Sequence, residues 1–167
     1  MPQKTLFDLA SIDRHSVVVD RAELDRYLEQ RGTFAMLDHL CYQDVEGGIA
    51  VGTKAIREDD WWAEDHVPGQ PMFPGALMIE AAAQVASFDF SKHRVPQGED
   101  ERFVGFGGVE KTRFRGVVTP PSILYFVIQL ERAGTRMFRY GAEAYIERDG
   151  VLESKRVFES TVLGILL

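Results

Sequence analysis

Residues 74–87 read PGALMIEAAAQVAS, and the rest of the chain is best read outward from them. Proline suits the first position of a helix, and the residues after it are helix formers, so the stretch predicts a helix opening at Pro74-Gly75. It should run to about Asp89, where Phe88-Asp89-Phe90 breaks the pattern. Its apolar residues cover most of the circumference rather than one stripe, which is the mark of a buried helix. At about 100° per residue, Gln84 lies about 40° from Glu80 around the axis and Ser87 about 20° on the other side. The polar exceptions therefore share one narrow stripe.

The flanking sequence reads mostly as antiparallel strands. FAMLDHLCYQDVEGGIAVGTKAI holds two strand-like runs about Glu46-Gly47-Gly48, a hairpin signal. After the helix come four candidate strands, over residues 103–115, 122–133, 136–147 and 151–163. The joints at Ala133-Gly134 and Asp149-Gly150 are hairpin-length, so the strands they join should be antiparallel neighbours. Asp20 is placed to cap a short helix over 21–31, with Leu24, Tyr27 and Leu28 on one face and Gly32 as its stop. Residues 57–73 read as irregular, too rich in proline and charge for regular structure, and 91–102 as a polar exposed loop. Residues 1–20 are a poorly patterned extension before a single domain over 21–167. The expected class is α+β, an antiparallel sheet wrapped around one long central apolar helix.

Composition narrows the function classes. The chain has 167 residues, 45% hydrophobic and 27% charged, enough for one core. Its formal net charge of −7 disfavours nucleic acid or an anionic membrane as partner. No apolar run reaches the length of a membrane span, and the first residues lack the apolar stretch of a secretory signal. One cysteine, Cys41, rules out an intrachain disulfide, and its apolar neighbours read as packing. The expected home is the cytoplasm.

The candidate chemistry lies in residues 65–84. A buried glutamate is costly unless paired or protonated, so Glu80 reads either as a neutral acid able to donate a proton or as a structural group bonded to Gln84. His66 reads either as surface or as a general base; Pro68, Pro71 and Pro74 fix three φ angles after it, and rigid placement is what a base requires. The Gly75 N–H, at a helix start and unshielded by a side chain, is an oxyanion donor or simply part of a tight turn. A base, a neutral acid and an oxyanion donor together describe loss of water next to a carbonyl. VGFGGVE lacks the spacing of a nucleotide loop, and His15, His39, His66 and His93 show no zinc spacing. Trp61-Trp62 reads as packing or as the mouth of a channel.

The stretch HVPGQPMFPGALMIEAAAQ resembles the signature of the (3R)-hydroxyacyl-acyl carrier protein dehydratases of bacterial fatty acid synthesis. There a histidine followed by x-P-G-x-P-x-x-P-G precedes a helix bearing an acidic residue and A-x-A-Q. His66, Pro68, Gly69, Pro71, Pro74, Gly75, Glu80, Ala81, Ala83 and Gln84 all fit. VEKTRFRGVVTPPSIL adds weaker similarity. The resemblance implies a hotdog fold and a homodimer, possible trimers of dimers included, with each site shared between subunits. It implies that His66 takes the C2 proton, Glu80 protonates the leaving hydroxyl, Gly75 N–H holds the thioester oxygen and Gln84 orients the carboxyl or a water. The substrate is an acyl thioester on acyl carrier protein or coenzyme A, and no metal or other cofactor is implied. Glutamate at the acid position is similar to the broad-chain branch of the family rather than the dehydratase-isomerase branch. Two segments depart from the pattern: QRGTFAMLDHL stands for P-H-R-x-P-F-L-L-V-D-R, and VVTPPSIL for P-V-x-P-G-D-x-L. Lys111, Arg113 and Arg115 alternate along a strand and read as solvated charge or as part of a docking patch for an acidic carrier. A hotdog thioesterase and a non-catalytic acyl-binding protein remain as alternatives.

Overall fold

The computed structural model describes residues 4–96, 98 and 103–167. Its elements are α1 (Arg21–Tyr27), β1 (His39–Asp44), β2 (Ile49–Ile56), α2 (Trp62–His66), α3 (Gly75–His93), β3 (Val104–Phe114), β4 (Ser122–Ala133), β5 (Met137–Arg148), β6 (Val151–Leu152) and β7 (Phe158–Leu166). The strands form one antiparallel sheet in the order β1-β2-β4-β5-β7-β3, with β6 paired to β5. The sheet curls around α3.

Alternation along each strand sorts side chains between two faces. Leu124, Phe126 and Ile128 of β4 and Tyr140, Ala142 and Ala144 of β5 point inward to α3, whose Ala81, Ala82, Val85 and Ala86 are buried against them. Small residues let helix and sheet approach closely: a Cβ at Gly52 of β2 would lie 2.5 Å from Val85 Cγ2. Tyr125, Val127, Tyr145, Val51 and Cys41 point the other way. Of residues 1–20, read from sequence as an extension, Leu6, Phe7, Leu9 and Ile12 lie on that outer face, where Leu9 is buried and Phe7 stacks on Tyr42, while Val19 joins the inner core. Two buried carboxylates fasten them. Glu143 accepts from the Leu6 N–H at 3.1 Å and the Tyr145 hydroxyl at 2.8 Å and pairs with Arg156. Glu147 accepts from Arg14 at 3.1 Å and from the Tyr125 hydroxyl at 3.3 Å. Burial, aided by Glu147, pushes the Tyr125 hydroxyl up to about 12.

The structure departs from the sequence reading in several places. Helix α1 is capped by Asp20 as expected but leaves helical geometry at Leu28, whose buried side chain turns the chain into the core; Gly32, at φ 59°, begins a separate 3₁₀ turn. Helix α3 continues past Asp89 to His93. Asp89 is tolerated because its carboxylate accepts from Tyr140 at 2.5 Å and Arg94 at 3.2 Å, and Lys92 and His93 suit the negative end of the helix. Of the loop expected over 91–102, residues 97 and 99–102 lie outside the described residues. The run 151–163 is two strands, β6 and β7, parted by a polar turn. The thiol of Cys41 is packed, and burial raises it to about 12.

Candidate active site

The proline-rich segment is more ordered than its composition suggests. Trp62 is fully buried and sets its ring edge-on to Phe73 at 5.3 Å, and that anchor forms the short helix α2 where an irregular loop was expected. His66 ends this helix, exposed at the surface. Val67–Gln70 then makes a tight turn, closed by Gln70 N–H to Val67 C=O at 3.0 Å. Pro68 and Gly69, the latter at φ 76°, hold its central positions, as a type II turn requires. The chain doubles back, so the Met72 carbonyl lies 2.9 Å from His66 Nδ1. A carbonyl only accepts, so Nδ1 carries the proton and the Nε2 lone pair of the neutral ring is left free to act as a base.

Phe73 N–H donates to the Val118 carbonyl at 2.8 Å, tying the segment to the β3–β4 connection just before α3 begins. Gly75 is the first helical residue, and its N–H has no hydrogen-bond partner among the described residues. A Cβ there would meet the Phe114 ring at 2.9 Å, so the glycine is required by the close approach of β3. His66, Gly75, Met72, Met78, Phe114 and Val117 line one open cleft of about 390 Å³. Apart from the imidazole and the N–H, its walls are apolar.

Glu80 and Gln84 do not line this cleft. From Gly75, Glu80 lies about 7.5 Å further along the axis and about 140° around it. Its carboxylate is half-buried, short of the full burial expected from sequence, because its stripe of α3 faces away from the sheet. Gln84 is buried and fully engaged: it donates to Glu80 Oε1 at 2.7 Å and to the Phe34 carbonyl at 2.8 Å, and accepts from the Met36 N–H at 3.0 Å. The segment QRGTFAMLDHL, which departs from the family pattern, thus supplies the main-chain groups that hold Gln84. Sequence reasoning missed Phe34, Met36 and the Met72 carbonyl because main-chain groups carry no residue signature.

The basic residues of β3 do not alternate. A bulge at Lys111, φ 52°, breaks the register between Glu110 and Arg113, and Lys111 lies beside Leu6 on the outer face. Arg115 pairs with Glu159 at 2.5 Å, which holds the Glu159 carboxyl below its ordinary value. Trp61 is exposed and Trp62 packs; neither lines the cleft.

The family model described as a FabA-like domain matches residues 28–155. The chain belongs to the FabA-like domain family. Curated relatives named 3-hydroxyacyl-[acyl-carrier-protein] dehydratase FabZ include that of Moorella thermoacetica, 31% identical over 78% of this chain and 89% of the relative. The one from Legionella pneumophila is 33% identical over 77% of this chain and 85% of the relative. Among solved structures, the dehydratase heterocomplex ApeI:P from Xenorhabdus doucetiae superposes with a TM-score of 0.66 at 16% identity, covering 86% of this FabA-like chain and 90% of the other. A thioesterase family protein from Silicibacter pomeroyi gives 0.64 at 12% identity over 86% and 93%. Those likenesses are of fold, and the fold is the hotdog.

Proposed function

We propose that this FabA-like protein dehydrates a (3R)-3-hydroxyacyl thioester to the trans-2-enoyl thioester, and that it does so as a homodimer in which His66 of one subunit works with Glu80 of the other. The Gly75 N–H binds the thioester oxygen and steadies the negative charge that grows there. His66 Nε2 removes the C2 proton, the C2=C3 bond forms, and the C3–O bond breaks as Glu80 gives its proton to the departing hydroxyl, which leaves as water. Gln84 holds the Glu80 carboxyl in place. No electrons are gained or lost overall, so the reaction requires no redox cofactor. The FabZ relatives are named for substrates on acyl carrier protein, which supports that carrier here, with coenzyme A thioesters as the second choice. Glutamate at position 80 supports the broad-chain branch.

The observation that carries the reading is the division of the groups. One chain offers a base and an oxyanion donor in an apolar cleft with no acid, and the acid sits on another face of the same helix. A second copy supplies what is missing. The outer edge of β3 supports where it docks, because Phe106 and Phe114 are exposed along it and Phe114 forms a wall of the cleft.

The test is a mixing experiment that follows the enoyl chromophore and free thiol together. His66→Ala and Glu80→Gln each lower turnover by about 10²–10⁴-fold while the fold persists. Mixed and re-equilibrated, the two inactive variants regain about a quarter of wild-type activity, because half of the pairs are mixed and each mixed pair carries one intact site. No regain would place both groups in one chain. Thiol release without enoyl formation would replace the dehydratase with a thioesterase.

A further inference from the structure

The Gln84 amide, 1% exposed, is locked in one orientation. Its Oε1 accepts from the Met36 N–H at 3.0 Å and its Nε2 donates to the Phe34 carbonyl at 2.8 Å. Turned over, it would set donor against donor and acceptor against acceptor, and both buried bonds would be lost. The other N–H of the amide is therefore committed to Glu80 Oε1 at 2.7 Å. That oxygen is taken up as an acceptor, so the acid proton is left to Oε2, which has no partner among the described residues.

The groups that lock the amide are placed in turn by the end of α1. Phe34 closes the 3₁₀ turn Gly32–Phe34, where the Phe34 N–H donates to the Arg31 carbonyl and the Ala35 N–H to the Gly32 carbonyl, each at 3.2 Å. Immediately before this turn the Arg31 guanidinium donates to three carbonyls, those of Asp25 at 2.7 Å, Gln30 at 2.9 Å and Leu28. Asp25 lies in the last turn of α1, whose final carbonyls have no helical partner. A planar fork of donors suits such a cluster, and it fastens the turn to the helix. The Arg31 side chain is itself more than half exposed, and none of these bonds reaches Gln84 or Glu80.

We infer that Arg31 is a positioning residue for the dehydration: it holds the turn that locks the Gln84 amide, and through that amide fixes which oxygen of Glu80 delivers the proton. The inference rests on the dehydratase reading above. It adds a remote guanidinium to the groups on which loss of the hydroxyl depends, without giving that guanidinium any contact with substrate.

The experiment compares two leaving groups at C3 of one acyl pantetheine thioester. A hydroxyl needs the Glu80 proton to depart. With chlorine in its place, His66 takes the same C2 proton, the C2=C3 bond forms, and chloride leaves with the electron pair of the C3–Cl bond, requiring no proton. Chloride elimination thus reports the fold, the cleft and the base with the acid left out. Arg31→Ala lowers kcat for loss of water about tenfold with KM unchanged and leaves chloride elimination as in wild type. Arg31→Lys does the same, because a single ammonium does not span three carbonyls. Gln84→Met lowers loss of water about a hundredfold, and adding Arg31→Ala to it costs nothing more, as expected of groups that act through one another. Equal losses on both leaving groups in Arg31→Ala, an Arg31→Ala protein as fast as wild type, or effects of the two replacements that multiply each overturn the inference while leaving the dehydratase in place. A wild-type protein that forms no enoyl product from the hydroxyl chain removes the dehydratase reading and this inference with it.

Discussion

At one end of the sheet the free edge of β1 is taken up by the chain itself: Val18 N–H donates to the Leu40 carbonyl and Leu40 N–H to the Val19 carbonyl, each at 2.9 Å, and the Ser16 hydroxyl donates to the Cys41 carbonyl at 3.0 Å. At the other end β3 pairs with β7 on one side and presents its outer side, with Phe106 57% and Phe114 52% exposed, to no partner within the described chain. Exposed strand edges invite pairing and are ordinarily blunted. One edge is sealed by the chain's own residues and the other, in the same sheet, is left open and apolar, so the open edge is the one available for the pairing proposed above.

The comparison breaks most visibly by mutation. Phe106→Asp on the open edge sets like charges against each other in the pair and weakens association about a hundredfold, or about 2.7 kcal/mol. Turnover falls with it, and sedimentation velocity reads the monomer directly. Val18→Asp on the sealed edge leaves the dimer intact; dissociation by that variant instead would reverse the roles of the two edges. A smaller effect is expected from Arg14→Ala, which strips Glu147 of its guanidinium and leaves a buried charge short of a partner. Urea unfolding should show a loss of about 3 kcal/mol, and dimer contacts should stay unchanged.

The smallest expected effect concerns His93, which accepts from the Gln43 amide at 3.0 Å behind the sealed edge. Burial lowers its pKa against the pull of Asp89, with Lys92 and Arg94 assisting and Glu23 opposing. The unfolded chain therefore takes up a proton, at about pH 6.5 and below, that the folded chain resists. This share of stability is complete above about pH 6.5 and is lost as the pH falls from there toward the folded value. His93→Gln flattens this slope. A slope unchanged in the variant would show that another group carries it.

How much could be read from residues alone depended on where each contact is made. Helix α3, the hairpin about Gly47 and the strands β4 and β5 are written in local periodicity and turn residues, and β4 fell on its predicted bounds. The placement of His66 and Gly75 was legible for a related reason, since prolines and glycines declare their backbone geometry. Residues 4–20 were not, because they are held by partners such as Glu143, 137 positions from Leu6, and by main-chain groups. Helix α2 depends on one tryptophan finding its pocket. The hold on Gln84 escaped notice because its acceptor and donor are peptide groups at Phe34 and Met36.

The N-terminal strip also limits what can cover the back of the sheet. In a sandwich of two sheets the backs must meet over a dry layer roughly 10 Å thick. Here Leu6, Leu9 and Ile12 already fill that layer over β2, β4 and β5. Stacking two copies back to back would first require peeling this strip away and stranding Glu143 and Glu147, so the back of the sheet is closed to such stacking.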